Sequence, residues 1–159
     1  MARKAKPGKK FTYGLETVLK VRAIKEKKEQ EKFADRERKY LTEKEQEDLL
    51  KIKQSQRRGE LKEMMQEGPI KDFAQVMQRK AHLGVLKEDI EKQVEKVIAA
   101  SRELDKQRNL LIEAMKKKKI MIKDKEHKLD DYKDVMQKLE MKFLDEIATE
   151  RFTHRKHQE

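Results

Sequence analysis

His154 and His157 stand three residues apart near the end of the chain, a spacing that puts two imidazoles on one helix face and could begin a metal site. Such a site needs further ligands and a fixed second layer of hydrogen bonds. This pair sits instead in a basic tail, RFTHRKHQE, with a single acid. Asp145 and Glu146 are adjacent carboxylates, but neighbouring helix positions do not face each other, so they make no acid–base pair. The run Lys116–Lys119 is either a solvated face or a seat for an acidic partner or an anionic lipid surface. No nucleophile–base arrangement and no Gly-rich phosphate loop occurs, and Cys is absent. The residues read as a chain that is not an enzyme and uses no cofactor or metal.

If chemistry does not organise the sequence, mechanical structure must. Of 159 residues, 46% are charged and 35% hydrophobic, with five Gly and two Pro. A compact core needs a larger apolar fraction, because burial must offset roughly 1–2 kcal/mol of ordering entropy per residue. Long helices that bury one narrow stripe fit this composition, and Lys, Glu, Gln, Arg, Leu and Met are good helix formers. No run approaches the length of a membrane span, and no signal-peptide core follows the basic start. The expectation is a soluble, cytosolic protein, or one held at a membrane complex through partners.

Pro7 and Gly8 predict a flexible basic arm over residues 1–10. Residues 11–67 predict a first helix, Gly68-Pro69 a turn, residues 70–150 a second helix, and 151–159 a basic tail. The helices would measure roughly 80 Å and 120 Å at 1.5 Å per residue. Two helices joined by so tight a break predict an all-α fold: a long antiparallel two-helix coiled-coil hairpin, the second helix longer than the first.

The heptad rows support this. Steps of seven from Leu83 give Ile90, Val97, Leu104, Leu111, Lys118, Lys125, Tyr132 and Leu139, seven of nine apolar or aromatic. A companion row offset by four holds Lys87, Val94, Ser101, Arg108, Met115, Ile122, Leu129, Met136 and Phe143, six of nine apolar. In the first helix the row from Leu19 runs through Glu26, Phe33, Tyr40, Glu47, Gln54 and Leu61, and a second row holds Leu50 and Met64 but also Arg22, Glu29, Arg36 and Arg57, so half of the seam is polar. It suits the richer second helix as partner better than a copy of itself.

Charge is uneven. The net charge of +11 divides into +5 on residues 1–10, +2 on residues 151–159 and +4 on the 140 residues between. A protein that binds duplex nucleic acid more often carries a basic face along its body. Three roles remain open on the residues alone: a stalk or adaptor within a larger machine, a nucleic-acid-associated coiled coil, or a holdase working through its tips.

Two end segments narrow the choice. The opening FTYGLETVLKVRAIKEKKEQEKFA resembles the start of the flagellar export protein FliJ family. Those chains open on an aromatic-x-aromatic step, a Leu-x-x-Val-Leu-x-x-Arg helix and a charged run ending in an apolar-Ala pair. The segment KFLDEIATERFTHRK is similar to the family's closing segment. The resemblance implies a non-enzymatic component of the flagellar type III export apparatus, cytoplasmic and peripheral to the membrane at the flagellar base. Its paired termini would enter the export ATPase hexamer, its other end would contact a membrane-embedded export gate protein, and it would escort export chaperones. A generic coiled-coil scaffold or a virulence-type secretion stalk is the alternative.

On that reading the ATPase-pore end comprises Phe11, Tyr13, Leu15, Val18, Leu19 and Arg22, expected to meet Phe143, Leu144, Ile147 and Phe152, with Arg151 and Arg155 as charged surface. The export-gate end comprises Leu50, Leu61, Met64, Met65, Phe73, Val76 and Met77, an apolar, Met-rich cluster suited to adaptable docking. No nucleic acid is expected as a partner, and membrane association is expected only through partners.

Overall fold

A computed structural model describes residues 10–66 and 72–156, with side chains as far as residue 151. The expected turn at Gly68-Pro69 and most of the basic arm lie outside the described residues. Two helices make up the regular structure among those described: α1, Glu16–Gln66, and α2, Phe73–Lys156. The fold is all-α, an antiparallel two-helix coiled coil whose second helix is the longer, as the heptad rows predict.

The helix starts have local causes. Before α1 the chain turns at Gly14-Leu15, and the Glu16 N–H donates to the Tyr13 carbonyl at 3.2 Å. Glu16 then places an acid in the first turn, where the helix dipole favours it. Asp72 caps α2: its Oδ1 accepts from the backbone N–H of Gln75 at 3.2 Å. The second helix therefore starts at Phe73, three residues after the expected Ile70, with the Asp72 carboxylate satisfying an N–H of its first turn. It also runs six residues past the expected end at 150.

Contacts divide the chain into two units, one of residues 26–113 and one of residues 1–25 with 114–159. In the first, Glu29 pairs with Gln107, Glu43 with Gln93 and Glu60 with Arg79, so numbering rises on α1 as it falls on α2. The row from Leu19 faces inward here as expected: Glu26, Phe33, Tyr40 and Gln54 are half-buried, Glu47 and Leu61 buried. The row through Leu83 also faces inward, with Val76, Val97 and Leu104 buried.

The companion row differs from expectation. It is offset by three and consists of Leu86, Gln93, Ala100 and Gln107, all buried. Lys87 and Arg108 of the expected row are exposed, while Val94 and Ser101 sit half-buried at the flank. The reason is electrostatic. Gln93 Nε2 donates to the Glu43 backbone carbonyl at 2.9 Å and to its Oε2 at 2.7 Å. Gln107 Nε2 does the same at Glu29, at 3.3 Å and 2.5 Å. Both glutamines lie 14 residues apart, as do both glutamates, so one clasp repeats after two heptads. Turning Val94 and Arg108 inward would bury these carbonyls and carboxylates without their amide donors.

In the other unit the inward residues of α2 are Ala114, Lys118, Met121, Asp124 and Lys125, then Leu129, Tyr132, Met136 and Leu139, all half-buried. Met115 and Phe143 of the expected companion row are exposed, and Leu129 and Met136 are half-buried.

The clasps predict a register test. Replacing Gln93 and Gln107 together with Leu should lower stability by about 1–3 kcal/mol per clasp, since Glu43 and Glu29 lose their amide donors. It also removes the penalty for sliding by a heptad. Spin labels on cysteines introduced at the exposed Gln30 and Asn109 should give one distance in the parent and a broadened or double distribution in the variant. A single unchanged distance would show that the apolar seam alone sets the register.

Candidate functional site

The residues expected at the ATPase-pore end separate into two groups. Tyr13 is buried just before α1, and its hydroxyl donates to Asp124 Oδ2 at 2.6 Å, lying 3.3 Å from the Met121 carbonyl. Phe11 packs on Tyr132 with ring centroids 5.7 Å apart and planes tilted by 52°. Lys128 and Lys125 place their ammonium groups 5.4 Å and 5.9 Å from the centre of the Tyr13 ring. Lys125 also bridges to Glu16 at 2.7 Å, and Lys128 to Asp124 at 2.9 Å. Leu15 and Val18 are exposed, and Leu19 and Arg22 half-buried.

Phe11 and Tyr13 therefore do not meet Phe143 and Leu144. They meet residues 121–132, and Phe143 stands eleven positions beyond Tyr132. Phe143 and Leu144 are 62% and 63% exposed, Ile147 is half-buried and Arg151 exposed. Phe152 and Arg155 lie beyond the described side chains. Pairing the first aromatic with the last assumed that the helix ends align, whereas Tyr13 finds its acceptor at Asp124. What the sequence reading missed here is Asp124, Lys125 and Lys128; a buried Tyr in need of an acceptor was the available signal.

The Tyr13 hydroxyl and Asp124 perturb each other. Burial, then the hydrogen bond to Asp124 and the charges of Asp124 and Glu16, push the Tyr13 phenol up to about 12. The bond from Tyr13, reinforced by Lys128, holds the Asp124 carboxyl below its ordinary value.

The residues expected at the export-gate end also divide. Leu61 and Val76 are buried in the seam, and Leu50 and Met64 are half-buried. Met65, Phe73 and Met77 are exposed, Phe73 at 67%. Phe73 and Met77 are four residues apart and share one face of the first turns of α2. Close by, Glu60 accepts from both Arg57, at 2.9 Å on its own helix, and Arg79, at 3.1 Å across to α2.

Elsewhere the polar inward positions are closed locally. The Glu47 carboxyl is held low by hydrogen bonds from Lys51 and then Lys44, one turn away on the same helix. An open groove of about 310 Å³, lined by residues including Arg36, Lys39, Lys96, Ala100 and Glu103, lies beside the small side chain at position 100. Its charged lining holds no nucleophile paired with a base. Among the described residues no cluster of three or more His, Asp or Glu side chains could hold a metal ion, and no helix is long and apolar enough to cross a membrane.

The family model for the flagellar FliJ protein matches residues 11–157. Among curated proteins, none matches the sequence. Among solved structures, the chain is similar to CT670 from Chlamydia trachomatis, a proposed YscO homolog, with a TM-score of 0.59 and 22% identity. The match covers 94% of this chain and all of that one, and at this identity it speaks for a shared fold.

The Tyr13–Asp124 pair predicts a pH signature. A phenol raised by folding stabilises below its ordinary value near 10 and stops doing so as pH rises through about 12; a lowered carboxylate stabilises above its ordinary range and stops as pH falls through its lowered value. The pair is therefore fully effective from about pH 5 to 9. Absorbance titration should show one of the three tyrosines ionising late, a step absent in Tyr13→Phe. That variant should melt several degrees below the parent at pH 7, and the gap should narrow toward pH 3. A gap independent of pH would assign the effect to packing alone.

Proposed function

The chain belongs to the flagellar FliJ family, and on that premise we propose that it is a non-enzymatic stalk and adaptor of the flagellar type III export apparatus. It works at the cytoplasmic face of the membrane, held there by its partners. The observation that carries this reading is the division of apolar residues at each end. In both units some close the helix pair and others remain on the surface with no role in folding. Such a chain has a structured seam for rigidity and free surface for docking.

At the end formed by the chain termini, Tyr13 and Phe11 anchor α1 on α2. Leu15, Val18, Phe143, Leu144 and Arg151 offer apolar and basic surface suited to the pore of the export ATPase hexamer. At the other end Met65, Phe73 and Met77 offer a flexible apolar surface for the export gate protein. Export chaperones are the third class of partner, carried on the same stalk. The fold shared with the YscO homolog supports a second reading, a stalk of a virulence-type secretion system, built on the same mechanics.

The gate contact is tested by Phe73→Ala with Met77→Ala. Both side chains are exposed, so helicity and melting temperature should hold, while calorimetric affinity for the cytoplasmic part of the gate protein should fall about tenfold, equivalent to about 1.4 kcal/mol. Unchanged affinity would remove this face from the contact. Restored secretion when the chain replaces a flagellar but not a virulence-type stalk would decide between the two systems.

A further inference from the structure

The segment Met115–Lys123, MKKKKIMIK, carries five lysines and no acid. The 140 residues between the two tails carry a net +4, so the other 131 of them sum to −1. All the net positive charge of the body is therefore gathered on two and a half turns of α2. Part of that charge is turned inward, since Lys118 is half-buried. Lys116, Lys119 and Lys123 are exposed and fall within one side of the helix, being three, four and seven residues apart. Ile120, 66% exposed, flanks this lysine strip on one side, and Met115, 50% exposed, flanks it on the other.

We propose that this strip is a direct contact site for an anionic lipid surface. Charge complementarity selects the partner: three ammonium groups on long stems project from one face of a helix, free to meet headgroup phosphates in any arrangement. The flanking aliphatics select lipid over an acidic protein or nucleic acid. A partner helix would need an apolar row sustained over several heptads, and of the outward positions in step with the strip Arg102, Asp105, Asn109, Glu126, Asp130 and Lys133 are polar and Ile112 alone apolar. A nucleic-acid backbone would leave Ile120 and Met115 in water and finds no aromatic side chain in the strip on which to stack a base. At a membrane the two aliphatics enter the headgroup boundary while the lysines reach back to the phosphates. The contact adds a direct lipid attachment to the partner-mediated one and does not depend on the ATPase or gate contacts.

The test is co-sedimentation of the full chain with vesicles of phosphatidylcholine alone and of phosphatidylcholine with phosphatidylglycerol. The parent should bind the anionic vesicles, bind the neutral ones poorly, and lose binding as salt rises. The triple variant K116E/K119E/K123E should lose at least tenfold in anionic-vesicle affinity with its far-UV circular dichroism unchanged, because the three side chains are exposed. The chain has no Trp, so Ile120→Trp gives a clean probe; its emission should shift to the blue on anionic vesicles only. Retained binding by the triple variant would assign attachment to the basic tails and overturn the proposal. So would equal binding to neutral vesicles, an unshifted Ile120→Trp emission, or release of the bound chain by a duplex oligonucleotide at equal phosphate concentration.

Discussion

Four of the carboxylates that turn toward the seam, Glu29, Glu43, Glu47 and Asp124, find hydrogen-bond donors there, because an unsatisfied buried carboxylate costs more than a narrow stripe of leucines and valines can offset. Glu29 and Glu43 find the amides of Gln107 and Gln93 across the helix pair. Glu47 finds two lysines of its own helix, and Asp124 finds the Tyr13 hydroxyl and Lys128. The seam is as much a row of donor–acceptor matches as a hydrophobic contact. None of the described side chains reaches full burial. With so little apolar area per turn, the polar matches have unusual weight in deciding which residue faces which.

Apolar heptads repeat, and a slip of seven residues replaces one leucine by another at small cost. The Gln–Glu clasp recurs at two positions fourteen residues apart, and a slip of seven would set Glu43 against Ala100, which has no donor to offer. In the unit that holds the termini, Tyr13 plays the corresponding part: one phenol, one carboxylate and one carbonyl define where the start of α1 meets α2. That contact falls at residues 121–124, leaving Phe143 and Leu144 on the surface. A family member that closed its first aromatic on its last would have no such apolar surface at the end of α2.

The charge distribution follows the same division between folding and docking. Ion pairs three or four residues apart, such as Lys32 with Glu29 and Lys106 with Glu103, set charges of both signs along the helices to stabilise them. Net positive charge is concentrated in the tails and in the strip around Lys119.

Periodicity was enough to settle the architecture. The rows through Leu83 and Leu19 face inward as the spacing demands, since a seven-residue repeat can satisfy only one geometry. The apolar ends were legible too, as clusters. What the linear pattern left undetermined was the second row of α2, where counting apolar residues favoured Val94 and Met115 over Gln93 and Gln107. The partner of Phe11 and Tyr13, and which members of each end cluster are buried and which exposed, were undetermined for the same reason. A glutamine reads as a surface residue until a carboxylate faces it, and a tyrosine's acceptor can lie anywhere within reach in space. Hydrophobic period depends on a residue's own position along its helix and is written in sequence. Hydrogen-bond matching depends on two positions 50 to 111 residues apart and exists only once the helices have met.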